Sequence, residues 1–397
     1  MIRRELSASL MKAYRQHPVV AVAGPRQSGK TTLCRTLFPA LPYASLEPLD
    51  ERALAEADPH RFLGRFPRGA FIDEIQRAPA LLPHIRRSVD ADPRPGRWIL
   101  AGSRDLAPMV QGSLSGVSES LTLLPLSWSE ITRFERRPGT LERALFSGSY
   151  PRIFDRGLGP MRWLRRRLAT LVERDARAIL RIGDLAAFHR FLELCAGRTS
   201  ELLRYSSLAS DCGISQPTAK AWLSVLEAAF IVYRLPPHSG APGKRVVRTP
   251  RLYFYDTGLV CRLLGIRDPA LLTVHPLRGA VFRTWVVSEF VKQRANRGVE
   301  GGLRFYRDRH GSEIDLVVDR GGQGDSPGRD TILVETRSAA TPTASFFERA
   351  RRVRGQLGGG HVAVVYGGDV GQLRKRWRLT PWRQLPRLLG ELAAGPR

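Results

Sequence analysis

An apolar run, residues 18–23 (PVVAVA), breaks at Gly24-Pro25-Arg26-Gln27-Ser28-Gly29-Lys30-Thr31, and a helix-forming stretch continues through Thr32. Strand, glycine-bearing loop and helix in that order match GxxxxGK[ST] at every defined position. Few other sequence features restrict the surrounding fold so tightly. Glycines let the backbone curl until successive N–H groups face one point. The helix behind the loop adds the partial positive charge of its N-terminus, so that point favours a phosphate. Lys30 is placed to bridge β- and γ-phosphates, and the Thr31 hydroxyl to ligate Mg²⁺. Gly24, Pro25, Arg26, Gln27, Ser28, Gly29, Lys30, Thr31 and Thr32 are therefore the candidate ATP-binding residues.

A loop of this kind needs an acidic residue at the end of a neighbouring strand. Residues 69–74 (GAFIDE) supply it about 40 residues on. Asp73 is the expected Mg²⁺ ligand beside Thr31, and Glu74 the residue that polarises the attacking water. A further strand at residues 98–101 ends in Gly102-Ser103-Arg104. Ser103 is placed to sense a γ-phosphate, with an ordinary polar turn as the alternative. Apolar runs at 18–23, 70–72 and 98–101, with a helix at 80–89 between them, predict a parallel α/β sheet. The segment LTLLPLS, ending at Ser127, reads as its last strand.

Residues 128–190 change to arginine-rich helical segments broken by Gly and Pro. Three helices are expected between 188 and 235: FHRFLELCAG, SSLASDCG and ISQPTAKAWLSVLEAAFIVYRL. The last has an apolar face of Ala221, Leu223, Val225, Leu226, Ala229 and Phe230. The final third alternates again, with strands at 251–255, 303–307, 313–318, 331–335 and 361–366 and helices at 280–294 and 345–356. Residues 320–330 read as a mobile loop. The resulting expectation is an α/β chain in three parts. These are a P-loop domain over 1–130, a helical, winged-helix-like domain over 131–250, and a mixed α/β domain over 251–397.

Composition narrows the setting. The 397 residues are too many for one compact core. No run approaches the roughly 20 apolar residues of a membrane helix. The opening segment lacks a secretory apolar region and reads as an amphipathic helix. Cys34, Cys195, Cys212 and Cys261 have no zinc-ligand spacing and read as buried thiols, so a cytoplasmic protein is expected. The net charge of +26 fits a nucleic-acid partner. However, only six of the 63 basic residues are lysine, a skew that a GC-rich genome also produces.

The motifs GPRQSGKTTL, FIDEIQRAP, ILAGSR and LLPLSWSEI, followed by SGSYP, VERDAR, LASDCGIS, LYFYDTGLV, EIDLVV and VETR, span nearly the whole chain. In this order they resemble prokaryotic AAA-superfamily ATPases with a C-terminal domain of unknown function. The resemblance implies an ATPase core, a winged-helix-like middle and a C-terminal domain of restriction-endonuclease-like fold. It also leaves a homo-oligomer open, because such sites are often completed across subunits. In the family an arginine usually stands where this chain has Val117, after Ser115-Gly116, so Arg104 or another arginine is the candidate finger. Binding needs only the loop and the acid, whereas hydrolysis also needs such an arginine.

Two further constellations stand out. Residues 206–230 fit a helix-turn-helix with its turn at Cys212–Ser215. In that reading Gln216, Thr218, Lys220 and Trp222 approach DNA, and the alternative is simple packing. In the last third, Glu289, Asp315 and Glu335-Thr336-Arg337 match the layout of PD-(D/E)xK nucleases, whose acids bind Mg²⁺. Arg337 stands at the lysine position and cannot accept a proton at any ordinary pH. A degenerate site is the expected outcome. Tyr253, Tyr255 and Asp256 read as core and turn residues. A nucleotide-dependent DNA-binding module and a metal-dependent nuclease are the rival functions.

Overall fold

The computed structural model describes residues 2–172, 184–239, 246–319, 331–374 and 377–393. By contact these fall into two compact units. The first comprises Met1–Leu126 with Ala228–Phe230 and Arg294–Val299, and the second the remainder. The VERDAR segment (172–177) lies almost wholly outside the described residues, as do residues 320–330.

The first unit is built on five parallel strands in the order β2-β3-β4-β1-β5. These are β1 (Val19–Ala23), β2 (Tyr43–Ser45), β3 (Ala70–Asp73), β4 (Trp98–Gly102) and β5 (Ser118–Thr122). β1 and β4 are buried at all five positions, so each reads as one apolar run rather than an alternation. In register, Ala23 lies beside Gly102 of β4 and Thr122 of β5, which brings three strand ends to one edge. A core of Val20, Val22, Leu33, Cys34, Phe71, Ile99 and Leu121 locks the helix Lys30–Leu37 and the opening helix Ser7–Gln16 to the sheet. One expectation needs correction, and one strand was not anticipated. LTLLPLS is strand only as far as Thr122, after which Leu123 N–H still donates to Ala23 O at 2.8 Å. The three-residue β2 left too little periodicity to be read.

The second unit contains helices and a mixed sheet. Helices Leu185–Gly197, Tyr205–Cys212 and Gln216–Ala228 follow one another, the last two joined through Gly213 at φ 72°. Ser215 Oγ accepts from Thr218 N at 3.2 Å, which caps the third helix. That helix stops at Ala228. Val232–Leu235 instead forms β6, antiparallel to β7 (Arg251–Phe254), and Leu202 bridges to Arg251. The β-branched Ile231-Val232 pair suits extended backbone, which corrects the helix expected through Leu235. The helix's buried face is also shifted, because Ala219 and Trp222 are buried and Ala221 is exposed.

The six-stranded sheet runs β12-β13-β11-β10-β9-β8. Its strands are β8 (Leu303–Arg307), β9 (Glu313–Asp319), β10 (Thr331–Arg337), β11 (His361–Tyr366), β12 (Gln372–Arg374) and β13 (Trp377–Pro381). β10 is parallel to β11 but antiparallel to β9. The helix Glu348–Gln356 packs on it through Ala350 and Val353. The architecture is therefore α/β throughout, with a parallel N-terminal sheet, a helical middle and a mixed C-terminal sheet.

Candidate nucleotide site and a second carboxylate cluster

Where β1 ends, the chain turns at Gly24 with φ 149°, and a Cβ there would meet Leu123 O at 2.2 Å. Only glycine fits that approach. Gln27 is left-handed at φ 66°, and Gly29 at φ 99° opens the helix at Lys30. The first N–H groups of that helix have no carbonyl one turn back, so they are donors for a ligand. Lys30 is buried, and its Nζ donates to Gly24 O at 2.9 Å and Pro25 O at 3.1 Å across the loop's own mouth. Arg4 ties the loop from outside, donating to Ser28 O at 2.6 Å and Leu124 O at 2.8 Å. A distant N-terminal arginine carries no motif, so its role could not be read in advance.

Thr31 Oγ1 donates to Asp73 Oδ2 at 2.5 Å. Residues 42 positions apart are thus joined as the loop motif and acid motif require. Glu74 N–H donates to Asp73 Oδ1 at 3.0 Å, and Tyr43 Oη approaches Oδ2 at 3.4 Å. Burial raises the Asp73 carboxyl above its ordinary range, and the Thr31 hydrogen bond acts against that rise. A hydroxyl and a carboxylate oxygen in contact make a donor set that suits Mg²⁺.

Glu74 occupies the left-handed region at φ 60°, ψ 41°. For a non-glycine residue this costs on the order of 1–2 kcal/mol and needs local support. Ser103 Oγ donates to Glu74 Oε2 at 2.9 Å, and Gln76 Nε2 to the same oxygen at 2.7 Å and to Ser103 Oγ at 3.1 Å. Arg26 and Arg77 each pair with both Glu74 and Glu47 at 3.7–3.9 Å, forming a ring of alternating charge beside the loop. Ser103 therefore stands beside Glu74. Arg104 follows the end of β4 and is half-buried. Sequence reasoning missed Glu47, Gln76 and Arg77, although the last two lie inside FIDEIQRAP.

The second cluster lies at β9 and β10. Asp315 Oδ2 accepts from Thr336 N at 2.9 Å and Thr336 Oγ1 at 2.7 Å. Its Oδ1 pairs with Arg283 at 2.8 Å and Arg251 at 3.6 Å. Burial would raise this carboxyl, but Arg283 and then Arg251 overcome it and hold it below the usual range. Glu335 lies beside Arg337 at 3.1 Å and Arg349 at 3.6 Å; burial, reinforced by the Asp315 charge, pushes its carboxyl up to about 8. Glu313 meets Arg251 at 2.7 Å, Arg349 at 2.8 Å and Arg307 at 3.6 Å. Asp315, Glu335 and Arg337 are thus brought together, but the acids face guanidinium groups. A divalent cation would have to displace them, so the residues do not fit a metal.

Glu289 is engaged elsewhere. Its Oε2 accepts from Trp128 N at 2.6 Å and its Oε1 pairs with Lys292 at 2.9 Å. Lys292 also donates to Ser149 Oγ at 3.1 Å, and Ser149 donates to Asp256 through N at 2.6 Å and Oγ at 2.8 Å. All four side chains are buried, so Glu289 and Asp256 are structural ties within this unit. Trp222 is also a core residue. It is 7% exposed, and its ring meets Phe188 and Phe191 edge-on at 5.3 and 5.5 Å. That corrects its expected approach to DNA. Gln216 and Lys220 are exposed, Thr218 is half-buried, and Lys220 lies over the Tyr205 ring. All four cysteines are buried and unpaired. Among the described residues no helix is long and apolar enough to cross a membrane, and no group of three or more His, Cys, Asp and Glu residues could hold a metal ion.

Comparison with known proteins adds to this geometry. Residues 16–132 match the family described as AAA domain, and residues 139–270 and 278–385 match two domains of unknown function, DUF8612 and DUF4143. The uncharacterized proteins Rv2008c of Mycobacterium tuberculosis and Mb2031c of Mycobacterium bovis are each 31% identical over 375 residues, covering 92% of this chain and 80% of the relative. Among solved structures, the Walker-type ATPase PABY2304 of Pyrococcus abyssi aligns at 14% identity and TM-score 0.44, over 66% of this chain and 95% of its own. RuvB of Thermotoga maritima aligns at 19% identity and TM-score 0.29, over 58% and 86%.

Proposed function

The chain belongs to the family of these mycobacterial relatives and carries an AAA domain at residues 16–132, and from that premise we propose that it binds ATP·Mg²⁺ at residues 24–32 and hydrolyses it. The observation that carries the reading is the 2.5 Å contact between Thr31 and Asp73, with the buried Lys30 ammonium at the mouth of the same loop. Backbone amides of the loop and of the first turn of the Lys30–Leu37 helix cradle phosphate oxygens, and Lys30 neutralises them. Thr31 and Asp73 hold Mg²⁺, which supplies charge neutralisation at the transferred phosphoryl group. Glu74 orients and polarises the attacking water, with Ser103 fixing its carboxylate. Arg104 or Arg26 stabilises developing charge where the family's arginine is replaced by Val117.

A division into three parts belongs to the same proposal, supported by family matches at 16–132, 139–270 and 278–385, which favour a second boundary near 270–278 over the expected 250. The winged-helix reading of the middle rests on the succession of three helices, the Leu202–Arg251 bridge and the β6–β7 ribbon. DNA is the second reading, supported by exposed Gln216 and Lys220 and by the +26 charge. A homo-oligomer and a cytoplasmic address complete the proposal. Cleavage of nucleic acid is not part of it, because Arg337 offers no base.

Phosphate release by the full chain, with and without duplex DNA, tests this reading. The Glu74→Gln variant should bind ATP with unchanged affinity and release no phosphate. Turnover in that variant at the wild-type rate would remove Glu74 from its role. Stimulation by DNA would favour a coupled enzyme, and binding without release a nucleotide-dependent module.

A further inference from the structure

The cluster on β8, β9 and β10 carries more cation than its acids absorb. Five guanidinium groups (Arg251, Arg283, Arg307, Arg337, Arg349) meet three carboxylates (Glu313, Asp315, Glu335). The excess is not spread evenly. Arg283 is committed to Asp315 at 2.8 Å, and Arg251, with a side chain only 3% exposed, pairs with Glu313 and Asp315. Arg307, Arg337 and Arg349 form the rim, with side chains 40%, 28% and 34% exposed. Arg307 reaches Glu313 only at 3.6 Å, outside hydrogen-bond distance. Arg337 Nε is buried and makes no hydrogen bond. A guanidinium donor in that condition calls for an acceptor or costs stability.

We propose that the rim formed by Arg307, Arg337 and Arg349 is a binding site for a phosphate oxyanion, on the same strands where a nuclease-like layout would place a metal. Phosphate fits better than a carboxylate because it brings up to two negative charges to one centre, where guanidinium groups outnumber the acids. Guanidinium forks also bind phosphate oxygens bidentately. A cation is disfavoured by the same arithmetic. The site is independent of the nucleotide loop, and neither reading requires the other.

Two probes separate the sources of that phosphate: orthophosphate, read as a thermal shift, and a short labelled DNA duplex, read by anisotropy across a salt series. Each is titrated against the full chain and the Arg307→Gln/Arg337→Gln variant. These two rim substitutions leave Arg251, Arg283 and Arg349 on the acids. If a nucleic-acid backbone is the ligand, duplex affinity falls about tenfold at ~0.1 M salt, and the slope of log affinity against log salt becomes shallower by about 2. If free phosphate is the ligand, it raises the melting temperature of wild type more than that of the variant, while duplex binding is equal. Phosphate held at residues 24–31 affects both proteins alike and cancels in the difference. Should the double variant fail to fold, Arg307→Gln alone must still reduce the salt slope by about 1 or the orthophosphate shift. Identical responses of wild type and variant to both probes would overturn the site. So would a loss of duplex binding confined to Lys220→Gln.

Discussion

Asp73 and Asp315 are both strand-borne aspartates beside a threonine hydroxyl and a second acid, yet they sit in different company. Asp73 ends its strand at the sheet edge, with Thr31, Tyr43 and the Glu74 amide around it and the Lys30 ammonium in the adjoining loop. Asp315 lies inside β9, and two guanidinium groups occupy the side its threonine leaves free. The first carboxylate is bound by hydroxyls and amides, which a metal can join. The second is already neutralised. A pair of acids on neighbouring strands is therefore not in itself a metal site, because the partners decide what the pair can still bind.

The strongest test of that contrast is Arg283→Met. Removing Arg283 leaves buried Asp315 with only the longer 3.6 Å pair to Arg251 and its Thr336 hydrogen bonds, and unfolding stability should fall by about 3 kcal/mol. Urea denaturation measures it. A loss below about 1 kcal/mol would mean the second cluster is not held by its ion pairs. Next in size is Lys30→Ala, which should leave the fold intact and weaken ATP binding on the order of 100-fold. That figure corresponds to two charge-assisted hydrogen bonds at about 1.5 kcal/mol each. Retained affinity in a fluorescent-nucleotide titration would break the comparison at its other end.

A smaller effect sharpens it through pH. The Glu335 carboxyl lies near 8 in the folded chain against an ordinary 4.5. Between these values the unfolded chain releases this proton and the folded chain keeps it, so wild-type stability declines as pH rises through that window. The depressed Asp315 carboxyl works below the window, where stability is lost as pH falls. Glu335→Gln should flatten the decline between about pH 5 and pH 8, read from urea midpoints. Smallest of all, Arg26→Gln should change unfolding stability by less than ~1 kcal/mol, because an ion pair at 3.7 Å to a Glu47 side chain that is 51% exposed contributes little. A larger loss would show that the charge ring beside the loop is structural.

How far the sequence could be read follows from the range of the forces involved. The phosphate loop, β1, β3 and β4 were legible because each is a short, continuous pattern whose backbone needs specific residues, such as Gly24 against Leu123. The β6 strand was lost inside an apolar run that suits either a helix or a strand, and pairing with β7 decided it. Trp222 could not be told from a surface aromatic until Phe188 and Phe191 were seen to cover it.

By itself, the sequence determined an α/β chain with a P-loop motif and an acidic strand end spaced to match it, because local backbone geometry and a fixed motif require those residues. Only the tertiary structure decided that Glu289 ties Trp128 to Lys292 and that guanidinium groups, not open space, face Asp315 and Glu335. Those partners come from positions many residues away, and electrostatic neutralisation depends on distance in space rather than along the chain.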